Sequence, residues 1–162
     1  MTLPKLSAGP LMGPAGKLLW VAGLLAFATI PAAFAQTADA PPAERWVAPD
    51  TGLMWAAADN GFGVSWTQAS NYCRALTLGG YKDWTLPEID DLQRLFGGPA
   101  NRSGYHVAGS IRLTGWQWSS SPGREPGERW ALDFGDGGRA SVAMGDSGLN
   151  RALCVRRPRH QM

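Results

Sequence analysis

The sequence predicts an α+β fold in which two early helices pack on short antiparallel strands, with a long loop region beside them. Three observations carry this. Two stretches of the first half pair a capping-box spacing with an apolar stripe of helical period. From 97 to 150 the texture changes: 12 glycines and 3 prolines fall in 54 residues, which suits loops and turns. Strand-length runs dominate the end of the chain. Helices followed by strands, without strict alternation, give α+β rather than a parallel sheet with crossover helices.

In chain order, the first 35 residues carry Lys5 and Lys17, no acid, and a 13-residue apolar run at 18–30. Ala33-Phe34-Ala35 follows. A basic start, a short apolar stretch and a small-x-small site predict an export signal over 1–35, cut before Gln36. As a helix that apolar run would reach only about 20 Å, short of a roughly 30 Å hydrocarbon core. Residues 36–43 (QTADAPPA) lack any large apolar side chain and are expected to be a flexible linker. The domain is expected over 44–157, with a basic tail at 158–162.

Residues 45–48 and 53–55 read as strands around Pro49-Asp50-Thr51-Gly52. Ser65 and Gln68 form a capping box, and Trp66, Ala69, Cys73 and Leu76 make one stripe behind it. Gly79-Gly80 is expected to end that helix through a left-handed cap. Thr85 and Glu88 repeat the spacing around Pro87, with Ile89, Leu92, Leu95 and Phe96 facing inward and Asp90, Asp91 and Arg94 outward. Strands are expected at 116–119, 129–134, 139–144 and 149–156. Gly135-Asp136-Gly137-Gly138 joins the middle two as a hairpin turn.

Charge excludes one function class. Beyond residue 35, 13 bases face 13 acids, so the sequence pI of about 8.7 reflects the leader and does not point to nucleic acid. The charge is uneven, however. Residues 36–100 hold 4 bases and 8 acids, whereas 101–162 hold 9 bases, all arginine, and 5 acids. Cys73 and Cys154 are the two cysteines, and an even count in an exported chain predicts one disulfide.

Catalysis is poorly supplied. His106 and His160 are the near-neutral bases, and no nucleophile-elbow pattern surrounds Ser103 or Ser110. No His and Cys cluster has zinc spacing. Asp133 and Asp136, with Glu125 and Glu128 upstream, place oxygen ligands on loops, the calcium style. An EF-hand loop opened at Asp133 would need an acid where Met144 stands, and turn chemistry accounts for these residues without metal. No catalytic residue, cofactor or metal is therefore expected.

Seven tryptophans follow the leader: Trp46, Trp55, Trp66, Trp84, Trp116, Trp118 and Trp130. Each can bury about 150–250 Å². The first four are expected in core. Trp116 and Trp118 share one strand face and, with Trp130, are the candidates for exposure.

Five segments stand in order: TGLMW at 51–55, the helix of 66–78 with Tyr72-Cys73, GYKDWTLP at 80–87, WSS at 118–120 and CVR at 154–156. Together they resemble the Lcl C-terminal domain family, a bacterial domain of unknown function named after the end of a collagen-like adhesin. The resemblance covers roughly 46–157, and Thr85 stands where that family usually has Arg. It implies a C-type-lectin-like fold and exported or surface proteins, some acting in adhesion or binding sulfated glycans, with no catalytic residues. The adhesin's collagen-like stalk is absent.

The expectation is thus an exported, periplasmic or secreted, non-catalytic recognition module for an anionic glycan or a protein partner. The alternative is a structural or assembly factor of an envelope complex. Arginine makes charge-assisted, often bidentate contacts to sulfate and carboxylate. The candidate ligand-binding residues are therefore Arg102, Arg112, Arg124 and Arg129, with Trp116 and Trp118. Arg156, Arg157 and Arg159 are expected to be a solvated basic end. Neither nucleic acid nor stable membrane insertion after cleavage is expected.

Overall fold

The computed structural model describes residues 44–158; the expected signal, the linker and the chain from Arg159 onward lie outside them. In chain order the elements are β1 (Arg45–Val47), β2 (Met54–Ala56), α1 (Trp66–Ala75), α2 (Ile89–Leu95), β3 (Trp116–Pro122), β4 (Glu128–Leu132), β5 (Arg139–Ala143), β6 (Asn150–Arg151) and β7 (Val155–Arg156). The fold is α+β: two helices and two sheets.

β1 and β2 pair antiparallel around the expected turn, and β7 adds to the other side of β2. Gly52 closes the turn at φ 68°, a conformation costly for any residue with a Cβ, and donates to the Ala48 carbonyl. α1 starts where its capping box predicts. The Ser65 hydroxyl accepts from the Gln68 amide at 3.4 Å, and Gln68 Oε1 accepts from the Ser65 amide at 2.9 Å. Its end differs from expectation. Leu76 is extended (φ −66°, ψ 127°), and Gly79 and Gly80 instead turn the chain between bridged Leu78 and Tyr81.

α2 also departs from the sequence reading. Thr85 does not cap it but pairs with Val155, and Glu88 takes the cap position. A residue before proline is pushed out of the helical region, so Leu86 is no helix start and α2 begins only past Pro87. Asp91, expected outside, is 3% exposed. Its carboxylate accepts from the Glu88 amide at 3.0 Å and meets Arg157 at 2.5 Å, which explains its burial.

The second sheet has the order β5-β4-β3-β6. β3–β4 and β4–β5 are antiparallel, but β3–β6 is parallel, so the strands are not all antiparallel as expected. The cause lies in 149–156, read as one strand. The chain pairs with β3 at β6 and is then carried across by buried Ala152, Leu153 and Cys154 to join β2 as β7. The hairpin between β4 and β5 turns as expected, with Gly137 at φ 79° and its amide donating to the Asp133 carbonyl.

Alternation along the strands divides the core. Leu132, beside Phe134, packs with Trp55, Leu92 and Leu153 around α2; Ala131 packs with Trp84, Trp118, Ala69 and Cys73 around α1. In the second cluster Cys73 and Cys154 form the expected disulfide, both wholly buried, 81 residues apart. Among the described residues, no helix is long and apolar enough to cross a membrane.

Candidate functional site: an arginine-lined groove on the long loop

Residues 97–115 have no helix or named strand, yet the loop is held at several points. Asn101 Oδ1 accepts from the amides of Ser103 (2.9 Å) and Tyr105 (3.1 Å), an Asx-type turn. Val107, Ile111 and Leu113 are buried anchors. Gly109 lies so close to the Trp46 indole that a Cβ would sit 2.5 Å from ring carbon, and its φ is 73°. Only glycine fits that contact.

Between these anchors the loop and the 58–61 segment enclose an open groove of about 650 Å³. Arg102 and Arg112 both line it, with Asn101, Ser103, Ser110 and Thr114. Neither guanidinium has an ion-pair partner among the described residues. Asp59 contributes the acid of the groove, but its oxygens are already engaged. They accept from Gly61 N (3.0 Å), Thr114 N (2.7 Å), Thr114 Oγ1 (2.9 Å) and Gln117 Nε2 (2.8 Å). That carboxylate therefore braces Thr114, and among the described residues it makes no ion pair with either arginine.

The other candidates are placed elsewhere. Arg124 sits over the Trp130 ring at 5.3 Å, and Arg139, which sequence reading did not single out, lies at the same distance. Arg129 stacks on Trp66 at 4.6 Å. Trp116 is half-buried beside an adjoining hollow with Ser103, Tyr105, Asp133 and Arg151. Trp118 is a correction. It is wholly buried and its indole donates to the Val64 carbonyl at 2.7 Å, so it presents no face to a ligand. Ala69 and Cys73 of α1, with Trp84 and Trp66, pack in one cluster with it and cover the face thought open.

Arg156 and Arg157 are not a solvated end either. Arg156 Nε reaches Asp83 at 2.6 Å and its guanidinium lies 3.9 Å from the Tyr81 ring, while Arg157 pairs with Asp91 and Glu88. All three acids come from earlier in the chain, which no local pattern reveals.

The carboxylates weighed for calcium serve as turn acceptors: Asp133 takes the Gly135 amide at 2.8 Å and Asp136 the Gly138 amide at 2.7 Å. Glu128 accepts from Ser141 Oγ and from the Glu125 amide. Among the described residues, no three of His, Cys, Asp and Glu gather as metal ligands would. His106 Nδ1 lies 2.8 Å from the Gly98 carbonyl, so that nitrogen carries the proton, and the ring packs against Phe96. His160 lies outside the described residues.

No curated protein matches the chain. A family model described as the Lcl C-terminal domain matches residues 48–156, about two thirds of its length.

Proposed function

The chain belongs to the Lcl C-terminal domain family, and from that premise we propose an exported, non-catalytic recognition module that binds an anionic glycan at the loop groove. One observation carries the reading: Arg102 and Arg112 share a groove with hydroxyl and amide donors, and among the described residues no acid pairs with either. Free guanidiniums beside neutral donors match sulfate or carboxylate on a sugar, where each bond is charge-assisted. A C-type-lectin-like architecture accords with the disulfide joining the first helix to the last strands and with the long loop. A buried disulfide also suits a periplasmic or secreted setting.

A glycan array at two ionic strengths tests this, with Arg102→Ala/Arg112→Ala alongside the parent. Salt-sensitive binding of sulfated or uronic-acid glycans that the double variant loses supports the reading. Binding that survives both salt and substitution refutes it.

A second reading, a scaffold within an envelope assembly, is favoured by two exposed apolar side chains. Phe62 is 62% and Leu149 67% exposed, and both sit on held loops. Asn60 donates to the Phe62 carbonyl at 2.7 Å, and Leu149 O accepts from Trp116 N at 3.1 Å. Crosslinking in intact envelopes should then give a partner that Phe62→Ser/Leu149→Ser releases while glycan binding persists.

A further inference from the structure

A second groove, of about 420 Å³, lies between α1 and the start of α2 and shares no lining residue with the loop groove. α1 presents Trp66, Ser70 and Arg74 to it, each four residues from the last, so they form one stripe along the helix. β4 brings Arg129 onto the Trp66 indole, whose own Nε1 is fixed by the Ser119 carbonyl at 2.9 Å. The indole and Leu86 make an apolar floor; Thr85 and Ser120 add hydroxyls at the edge.

The charge in this groove is not balanced. Glu88 is the acid among the lining residues, and it faces Arg157 at 3.3 Å, a side chain already held by Asp91. Arg74 donates to the neutral Asn71 amide oxygen at 2.5 Å. Arg129 gives Nη1 to the Glu128 carbonyl at 3.1 Å, its Nε is sealed from solvent with no acceptor, and neither arginine has an acid among the described residues. An unsatisfied buried donor on a cation is costly, and the stacked indole is what holds it. A guanidinium immobilised in this way carries little further ordering cost when an anion arrives.

We propose that this groove is a second anion-binding site, selective for a linear ligand carrying two negative groups spaced to meet Arg129 and Arg74 together. Arg74 stands eight positions along the helix from Trp66, which lies under Arg129, a rise of about 12 Å. The Arg74 side chain leans back toward the helix start, which shortens the span to about 10 Å. The site goes beyond the loop groove and stands whether or not that groove takes a glycan.

The test uses small probes on the full domain: acetate, succinate and suberate, each titrated at fixed ionic strength. The Trp66 indole and Arg129 Nε–H resonances report occupancy. Suberate, long enough to span, should saturate both signals and bind about tenfold more tightly than acetate or succinate, since one further charge-assisted contact is gained. Arg74→Gln, on the exposed end of α1, should reduce suberate binding to the acetate level without changing Tm. Arg129→Lys keeps the charge but not the planar stack, and should weaken all three probes; if it fails to fold, Arg74→Gln decides. Equal affinity for the three probes, or suberate binding unchanged in Arg74→Gln, overturns the proposal. So does loss of the response in Arg102→Ala/Arg112→Ala, which would place the ligand in the loop groove.

Discussion

Two segments of this molecule, the loop of 97–115 and the strap of 152–157 that contains β7, each carry two arginines, yet they behave oppositely. The strap is locked. Residues 152–155 are wholly buried, Cys154 is bonded to Cys73, and Arg156 and Arg157 each close on an acid from the 83–91 stretch. The loop is pinned at Val107, Ile111 and Leu113 but leaves Arg102 and Arg112 exposed, without an ion-pair partner among the described residues. Arginine is therefore structural or available according to what lies opposite it, not according to the segment that carries it. An ion pair with a buried acid is expensive to break because it strands the remaining charge, whereas an exposed arginine leaves nothing behind.

The contrast can be broken most directly at the disulfide. Replacing both Cys73 and Cys154 with Ala releases a closed loop of about 80 residues and should cost about 4–5 kcal/mol, read from the urea midpoint. A loss under about 1 kcal/mol would mean that the strap is held by packing alone. Next in size, Trp118→Ala should cost about 3–5 kcal/mol through the cavity and the freed Val64 carbonyl. If Trp118→Ala folds normally and loses glycan binding instead, the burial assignment is wrong.

Asp91→Asn sharpens the strap side. It keeps the shape but removes the charge that meets Arg157, whose side chain is 48% exposed and can regain water. The expected loss is about 1–2 kcal/mol, below the range for a fully buried pair. Thermal denaturation of Asp91→Asn beside Arg157→Gln and the double variant gives the coupling directly, and additive effects would show the two do not interact. Smallest in stability, Arg102→Ala/Arg112→Ala should shift folding by less than about 1 kcal/mol while abolishing salt-sensitive glycan binding. A large drop in Tm for that pair would erase the distinction between loop and strap.

Local patterns in the sequence were sufficient for α1, whose Ser65 and Gln68 close a box within one turn, for the turn at Gly52 and for the hairpin at Gly137. Each is decided by interactions spanning a few residues, so composition and spacing suffice. The disulfide was legible too, because two cysteines leave one possible pairing. Of the four arginines picked out for charge-assisted contacts in or beside the long loop, Arg102 and Arg112 line its groove, whereas Arg124 and Arg129 lie against tryptophans elsewhere.

Only tertiary structure decided the rest, and the physical reason is range. Whether an arginine is free depends on acids 66 or 73 residues away, as with Arg157 and Asp91 or Arg156 and Asp83, and no periodicity encodes those distances. Trp118 and Trp130 carry similar local signals, yet one is sealed beneath α1 and the other lies open to two guanidiniums. The split of 149–156 into β6 and β7 follows from a disulfide and two sheets competing for one chain. By itself the sequence determined most element types, the capping box that starts α1, the single crosslink and the even balance of charge beyond residue 35. Which charges stay unpaired, and so where an anion can dock, is set by long-range packing.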